Sequence, residues 1–115
     1  MVAETKGATQ VVLVVDDEPD LVDSLRMDLE FHGYKVLTAQ DGLTAVEVTK
    51  RSLPDLILLD LGLPILDGYG VLKMLKTDAR CRHIPVLVIS ARSDPKGVAE
   101  TLDWGDADSY YAKPL

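Results

Sequence analysis

Cysteine, tryptophan and phenylalanine each occur once in this chain, and aromatic residues make up only 5% of it. Each shortage excludes something. A single cysteine, Cys81, cannot form an internal disulfide, and His83 beside it does not complete a metal-binding set, so a reducing, cytoplasmic setting is expected. The longest apolar runs, Val11 to Val15 and Leu56 to Leu59, fall far short of the about 18 apolar residues of a membrane span and have the length of strands. Met1 to Gln10 lacks the basic-then-apolar order of a secretory signal and reads as a flexible tail. Positive charge is scarce as well. Against 19 Asp and Glu stand 12 Lys and Arg, and the net charge of −7 disfavours nucleic-acid phosphates as the main partner while favouring cations.

What is present suits one compact domain from Val11 to Leu115, because 47% of the 115 residues are hydrophobic. Val11 to Val15, Lys35 to Ala39, Asp55 to Asp60 and Pro85 to Ile89 are aliphatic and bounded by Asp, Pro or Gly, which predicts strands; Tyr110 to Lys113 is a fifth. Most are apolar throughout rather than alternating, as strands are when helices cover both faces of a parallel sheet. Between them, Asp20 to His32 places Leu21, Leu25 and Leu29 on one helical face and meets Gly33 as a stop. Further helices are expected after Asp41-Gly42, after Asp67-Gly-Tyr-Gly and after Asp94-Pro95, the last with Val98 and Leu102 as its apolar face. A βαβαβαβαβ order with short links implies right-handed crossovers and a ligand site at the carboxyl ends of the strands.

Those ends gather chemistry. Asp16 and Asp17 follow the first strand, Asp60 ends the third, Ser90 ends the fourth and Lys113 the fifth. Three carboxylates in one pocket repel by about 3 to 4 kcal/mol per close pair at an effective dielectric of about 20, so cations must offset them. Lys113 is one. A hard divalent ion such as Mg²⁺ suits the remaining oxygen donors, and Asp60, Ser90 and Lys113 around it have the nucleophile and donors that phosphoryl transfer needs.

The combination Val15-Asp16-Asp17-Glu18, Leu59-Asp60-Leu61-Gly62-Leu63-Pro64 with Asp67-Gly68, Ile89-Ser90-Ala91-Arg92 and Tyr110-Tyr111-Ala112-Lys113-Pro114 resembles the receiver domain of two-component response regulators, of the chemotaxis-protein type. The resemblance covers Val11 to Leu115. It implies a flavodoxin-like, doubly wound, five-stranded parallel sheet in the order 2-1-3-4-5. Asp60 would accept a phosphoryl group from a histidine kinase or phosphotransfer protein, and Mg²⁺ would be held by Asp17, Asp60 and the Gly62 carbonyl, with Asp16 acting through water. Ser90 and Lys113 would bind phosphoryl oxygens, Ser90 and Tyr110 would form the switch, and Lys113-Pro114 matches the family's usual cis peptide. The count back from Lys113 favours Tyr110 over Tyr111. The product is a changed surface for a downstream output domain or protein, with at most self-phosphorylation and self-dephosphorylation as activity and no direct contact with nucleic acid or membrane.

Gly62 replaces the polar side chain often found two positions after the phosphoacceptor, which implies slow self-dephosphorylation. The resemblance also implies that the usual fifth helix is absent from this chain, leaving Val12, Val14, Ile57, Leu59 or neighbours of the same facing as an apolar area suited to self-association or to a longer protein. His32 and His83 read as surface residues, and Cys81 as a spectator beside Arg80 and Arg82. Three other readings compete. A Mg²⁺-dependent aspartyl-phosphate phosphohydrolase would want a second acid where Gly62 stands; a dinucleotide-binding domain would want Gly, Ser or Thr where Asp16-Asp17-Glu18-Pro19 stands; an unphosphorylated pseudo-receiver would lack part of the site.

Overall fold

The computed structural model describes residues 9–60, 62–63, 65–90 and 109–112, with side chains excepted at Ser90 and at 109–112. Its elements run β1 (Val11–Val15), α1 (Pro19–Phe31), β2 (Lys35–Ala39), α2 (Gly42–Ser52), β3 (Leu56–Asp60), α3 (Gly68–Lys76), β4 (Val86–Ser90) and β5 (Ser109–Ala112). Four strands pair in the order β2-β1-β3-β4, and β5 joins β4, every pairing being parallel. Among the described residues three helices cover this sheet. The helix expected after Asp94-Pro95, Trp104, Lys113 and the Lys113-Pro114 bond lie outside the described residues, as do residues 1–8 of the expected tail. No helix of the described residues is long and apolar enough to cross a membrane.

Local chemistry sets the helix limits. Pro19 starts α1 with its φ already fixed. At the other end Gly33 takes φ 92°, its N–H reaches the Glu30 carbonyl at 3.0 Å and the Tyr34 N–H reaches that of Leu29 at 3.1 Å. This is a Schellman closure, and glycine is the residue that adopts it without strain. Asp41 caps α2, accepting from the Thr44 N–H at 2.7 Å and from its hydroxyl at 2.9 Å. Asp67 caps α3, accepting from the Gly70 N–H at 2.9 Å. Lys76, at the end of α3, donates to the carbonyls of Arg82 and Ile84 and so holds the turn that feeds β4.

The sheet divides two apolar layers. On one side Leu13, Val15, Ile57, Leu59, Val86 and Val88 pack with Ala45 and Val46 of α2 and with Val71, Leu72 and Leu75 of α3. On the other, Val12, Val14 and Leu58 pack with Val22 of α1, with Leu25, Leu29, Val36, Leu56 and Leu87 at the margins. This corrects one expectation from sequence. Val12 stands opposite Leu56 and Val14 opposite Leu58, so Ile57 and Leu59 face the α2/α3 layer rather than the α1 layer. Adjacent parallel strands in this register put the same parity on the same face.

Candidate functional site

β1 connects outward to β2 on one side, and the chain then crosses to β3 on the other. The order therefore reverses between β1 and β3, the point at which open parallel sheets leave a crevice beyond their strand ends. Asp16 and Asp17 leave β1 there, and Asp60 ends β3 next to them. Each offers a carboxylate oxygen, and the three oxygens lie within 4.8 Å of one another.

The three acids differ in their surroundings. Asp16 is fully buried: its N–H donates to the Ala39 carbonyl at 3.1 Å, and its Oδ1 accepts from the Glu18 N–H at 2.9 Å. That bond folds the chain back just before α1 and fixes the Asp16 side chain. Asp60 is also buried, at 6% exposure, on a strand hydrogen-bonded on both sides. Asp17 is exposed. One acid is thus locked by a turn, one sits on the central strand, and one faces the solvent from which an ion arrives.

The donor set fits Mg²⁺. This ion takes oxygens at about 2.0 to 2.1 Å in octahedral array, so oxygens sharing it stand about 3 to 4 Å apart and carboxylates as close as these need little movement to meet that spacing. Gly62 is exposed beside them, and a Cβ added there would lie 4.0 Å from Asp60 Oδ2 with nothing else near. The loop thus passes close to the phosphoacceptor candidate and leaves room for water. Leu63 turns the other way, buried at 7% exposure in the α2/α3 layer.

Ser90 ends β4 and pairs with Ala112, and Asp60 pairs with Ile89, so the backbone of Ser90 lies at the same edge of the sheet as the acids. The side chains of Ser90, Tyr110 and Tyr111 are outside the described residues. The two histidines, His32 and His83, are exposed and precede the amino ends of β2 and β4, opposite to the carboxyl ends that carry the acids. Cys81 is buried, and burial pushes its thiol up, with Asp78 adding to the effect. A raised thiol is a poor nucleophile, which agrees with the spectator reading.

Comparison with known proteins bears on the same residues. The family model described as the response regulator receiver domain matches residues 12–115. Over 105 residues the chain is 42% identical to the transcriptional regulatory protein KdpE of Mycobacterium tuberculosis, covering 91% of this chain and 45% of that protein. It is 39% identical over 104 residues to the DNA-binding dual master transcriptional regulator RpaA of Synechocystis, covering 90% and 43%. The chain thus spans less than half the length of these curated relatives. Among solved structures, the phosphorylated cyanobacterial phytochrome response regulator RcpA superposes with TM-score 0.87 at 29% identity, over 94% of this chain and 83% of that one. The receiver domain of a sensor histidine kinase from Pseudomonas aeruginosa, which has a magnesium ion coordinated in its active-site cleft, superposes with TM-score 0.83 at 31% identity, over 94% and 88%.

Proposed function

The chain belongs to the response regulator receiver domain family, and on that premise we propose that it is a phosphoacceptor switch whose acceptor is Asp60. The observation that carries this reading is the convergence of Asp16, Asp17 and Asp60 within 4.8 Å at the reversal point of the sheet, with Asp60 on its central strand. A carboxylate oxygen of Asp60 attacks phosphorus in a phosphohistidine of the partner kinase or phosphotransfer protein. The new O–P bond forms as the N–P bond breaks, and its electron pair returns to the imidazole nitrogen. Asp17, Asp60 and the Gly62 carbonyl would hold Mg²⁺, with Asp16 acting through water, and the bound ion would supply positive charge against the acids and the phosphoryl oxygens.

The protein's own residues set the rest. Asp16, fixed by the Glu18 N–H, keeps its carboxylate near the acceptor without competing for the incoming group. Ser90 and Lys113 bind phosphoryl oxygens, a role implied by the family pattern. Drawing the Ser90 hydroxyl towards the new charge lets Tyr110 move, which changes the surface offered to an output domain or protein. Gly62 brings no side chain to orient water, so the acyl phosphate is long-lived. The domain is regulatory, and its turnover is limited to its own phosphorylation and dephosphorylation.

Intact mass spectrometry tests the reading. With Mg²⁺ and a small acyl phosphate donor, the wild type gains one phosphoryl group; Asp60→Asn, or wild type with chelator, gains none, and after donor removal Gly62→Asn loses its group faster than wild type. Undiminished labelling of Asp60→Asn, or steady hydrolysis of unrelated phosphate esters by the wild type, contradicts it.

A further inference from the structure

Leu66, between Asp60 and α3, is clasped from two sides by glycines. A Cβ added to Gly42, the first residue of α2, would overlap the Leu66 carbonyl oxygen and lie 2.6 Å from the Leu66 carbonyl carbon and 2.8 Å from its Cβ. Added to Gly70, in the first turn of α3, a Cβ would meet Leu66 Cδ1 at 2.5 Å and Cγ at 3.2 Å. Leu66 itself is half-buried against the α2/α3 layer. One glycine therefore admits its backbone and the other its side chain.

The residue before it shows that this loop is held under constraint. Ile65 takes φ 70° although it is β-branched and 79% exposed. Such a conformation persists only where neighbouring contacts over-determine it. Its own side chain makes little contact, and among the described residues the two that follow it are anchored, Leu66 between the glycines and Asp67 through its cap on α3. The other end of the same loop carries Gly62 beside Asp60 Oδ2.

We propose that Leu66 is a positioning residue for the phosphoacceptor site: seated between Gly42 and Gly70, it fixes the loop that holds Gly62 against Asp60, so α2 and α3 set the geometry of that site. This rests on the proposed function and adds to it a restraint outside the acidic cluster. The two contacts differ in kind. An Ala at position 42 meets backbone and must displace the loop, whereas an Ala at position 70 meets the end of a side chain and acts only while that side chain is present.

The test is a set of variants measured for Mg²⁺ affinity by calorimetry, for phosphorylation rate with a small acyl phosphate, and for amide exchange of Gly62, Leu63, Ile65 and Leu66 in metal-free protein. Gly42→Ala is expected to weaken Mg²⁺ binding and slow phosphorylation by about tenfold or more, in both Leu66 and Leu66→Ala backgrounds, with faster exchange in the loop. Gly70→Ala should cost about two- to fivefold with Leu66 present and nothing further in Leu66→Ala, a coupling that independent sites do not show. Leu75→Ala, which opens the core beneath α3 away from the loop, controls for lost stability and should leave Mg²⁺ affinity within about twofold. A folded Gly42→Ala with wild-type affinity and exchange overturns the proposal. Should Gly42→Ala not fold, additive effects of Gly70→Ala and Leu66→Ala overturn it and the stated coupling supports it. A wild type that takes up neither Mg²⁺ nor phosphoryl overturns the proposed function instead, and loop exchange in the metal-free variants then still decides the clasp.

Discussion

Three aspartates of one chemical type acquire separate roles from their surroundings. Asp16 is buried and tied by the Glu18 N–H, Asp60 closes the central strand, and Asp17 stands in solvent. In the proposed site Asp17 is a direct ligand of the ion and Asp16 acts through water. Asp17→Ala should accordingly weaken Mg²⁺ binding more than Asp16→Ala, by about tenfold against a few-fold, as measured by calorimetry. Equal affinities would remove the distinction. These acids were legible in sequence because each follows an apolar strand-length run. Leu66 was not, because its contacts with Gly42 and Gly70 join three separate parts of the chain. The available signal was Gly70 within α3, since glycine is a poor helix former and one inside a helix marks a close approach.

At the scale of elements, caps carry a pH dependence. The hydrogen bonds from the Thr44 N–H, then from its hydroxyl, hold the Asp41 carboxyl below its ordinary value of 3.8, in spite of some desolvation. A carboxyl whose folded value is depressed contributes stability that is complete above its unfolded value and is lost as pH falls through the folded one. Wild-type stability should therefore decline below about pH 4, and Asp41→Asn, which keeps a capping oxygen without the charge, should decline less steeply there in urea titrations. Parallel slopes would show that the cap does not titrate as described. Helix starts such as Asp41-Gly42 and Asp67-Gly68, and the Gly33 stop, were readable because capping is local. The facing of Ile57 and Leu59 was not, since it depends on which residue of β1 stands opposite Leu56, and nothing in either strand alone fixes that register.

For the whole molecule, the strand order brings the ends of β1 and β3 together, and that arrangement turns two short acidic stretches, far apart in sequence, into one site. Alternation of strand and helix pointed only to a parallel sheet; the order β2-β1-β3-β4 was implied by the resemblance to receiver domains, whose family model matches residues 12–115. The net charge of −7 suits the proposed binding of a cation. The central claim is that Asp60 becomes an acyl phosphate. Borohydride reduces an acyl phosphate, but not a free carboxylate, to an alcohol with loss of phosphate, leaving homoserine where the aspartate stood. Peptide mapping after treatment with Mg²⁺, donor and borohydride should find homoserine at position 60 alone, and none when chelator replaces Mg²⁺. An unaltered Asp60, or homoserine at Asp16, Asp17 or Asp67 in its place, would contradict the account.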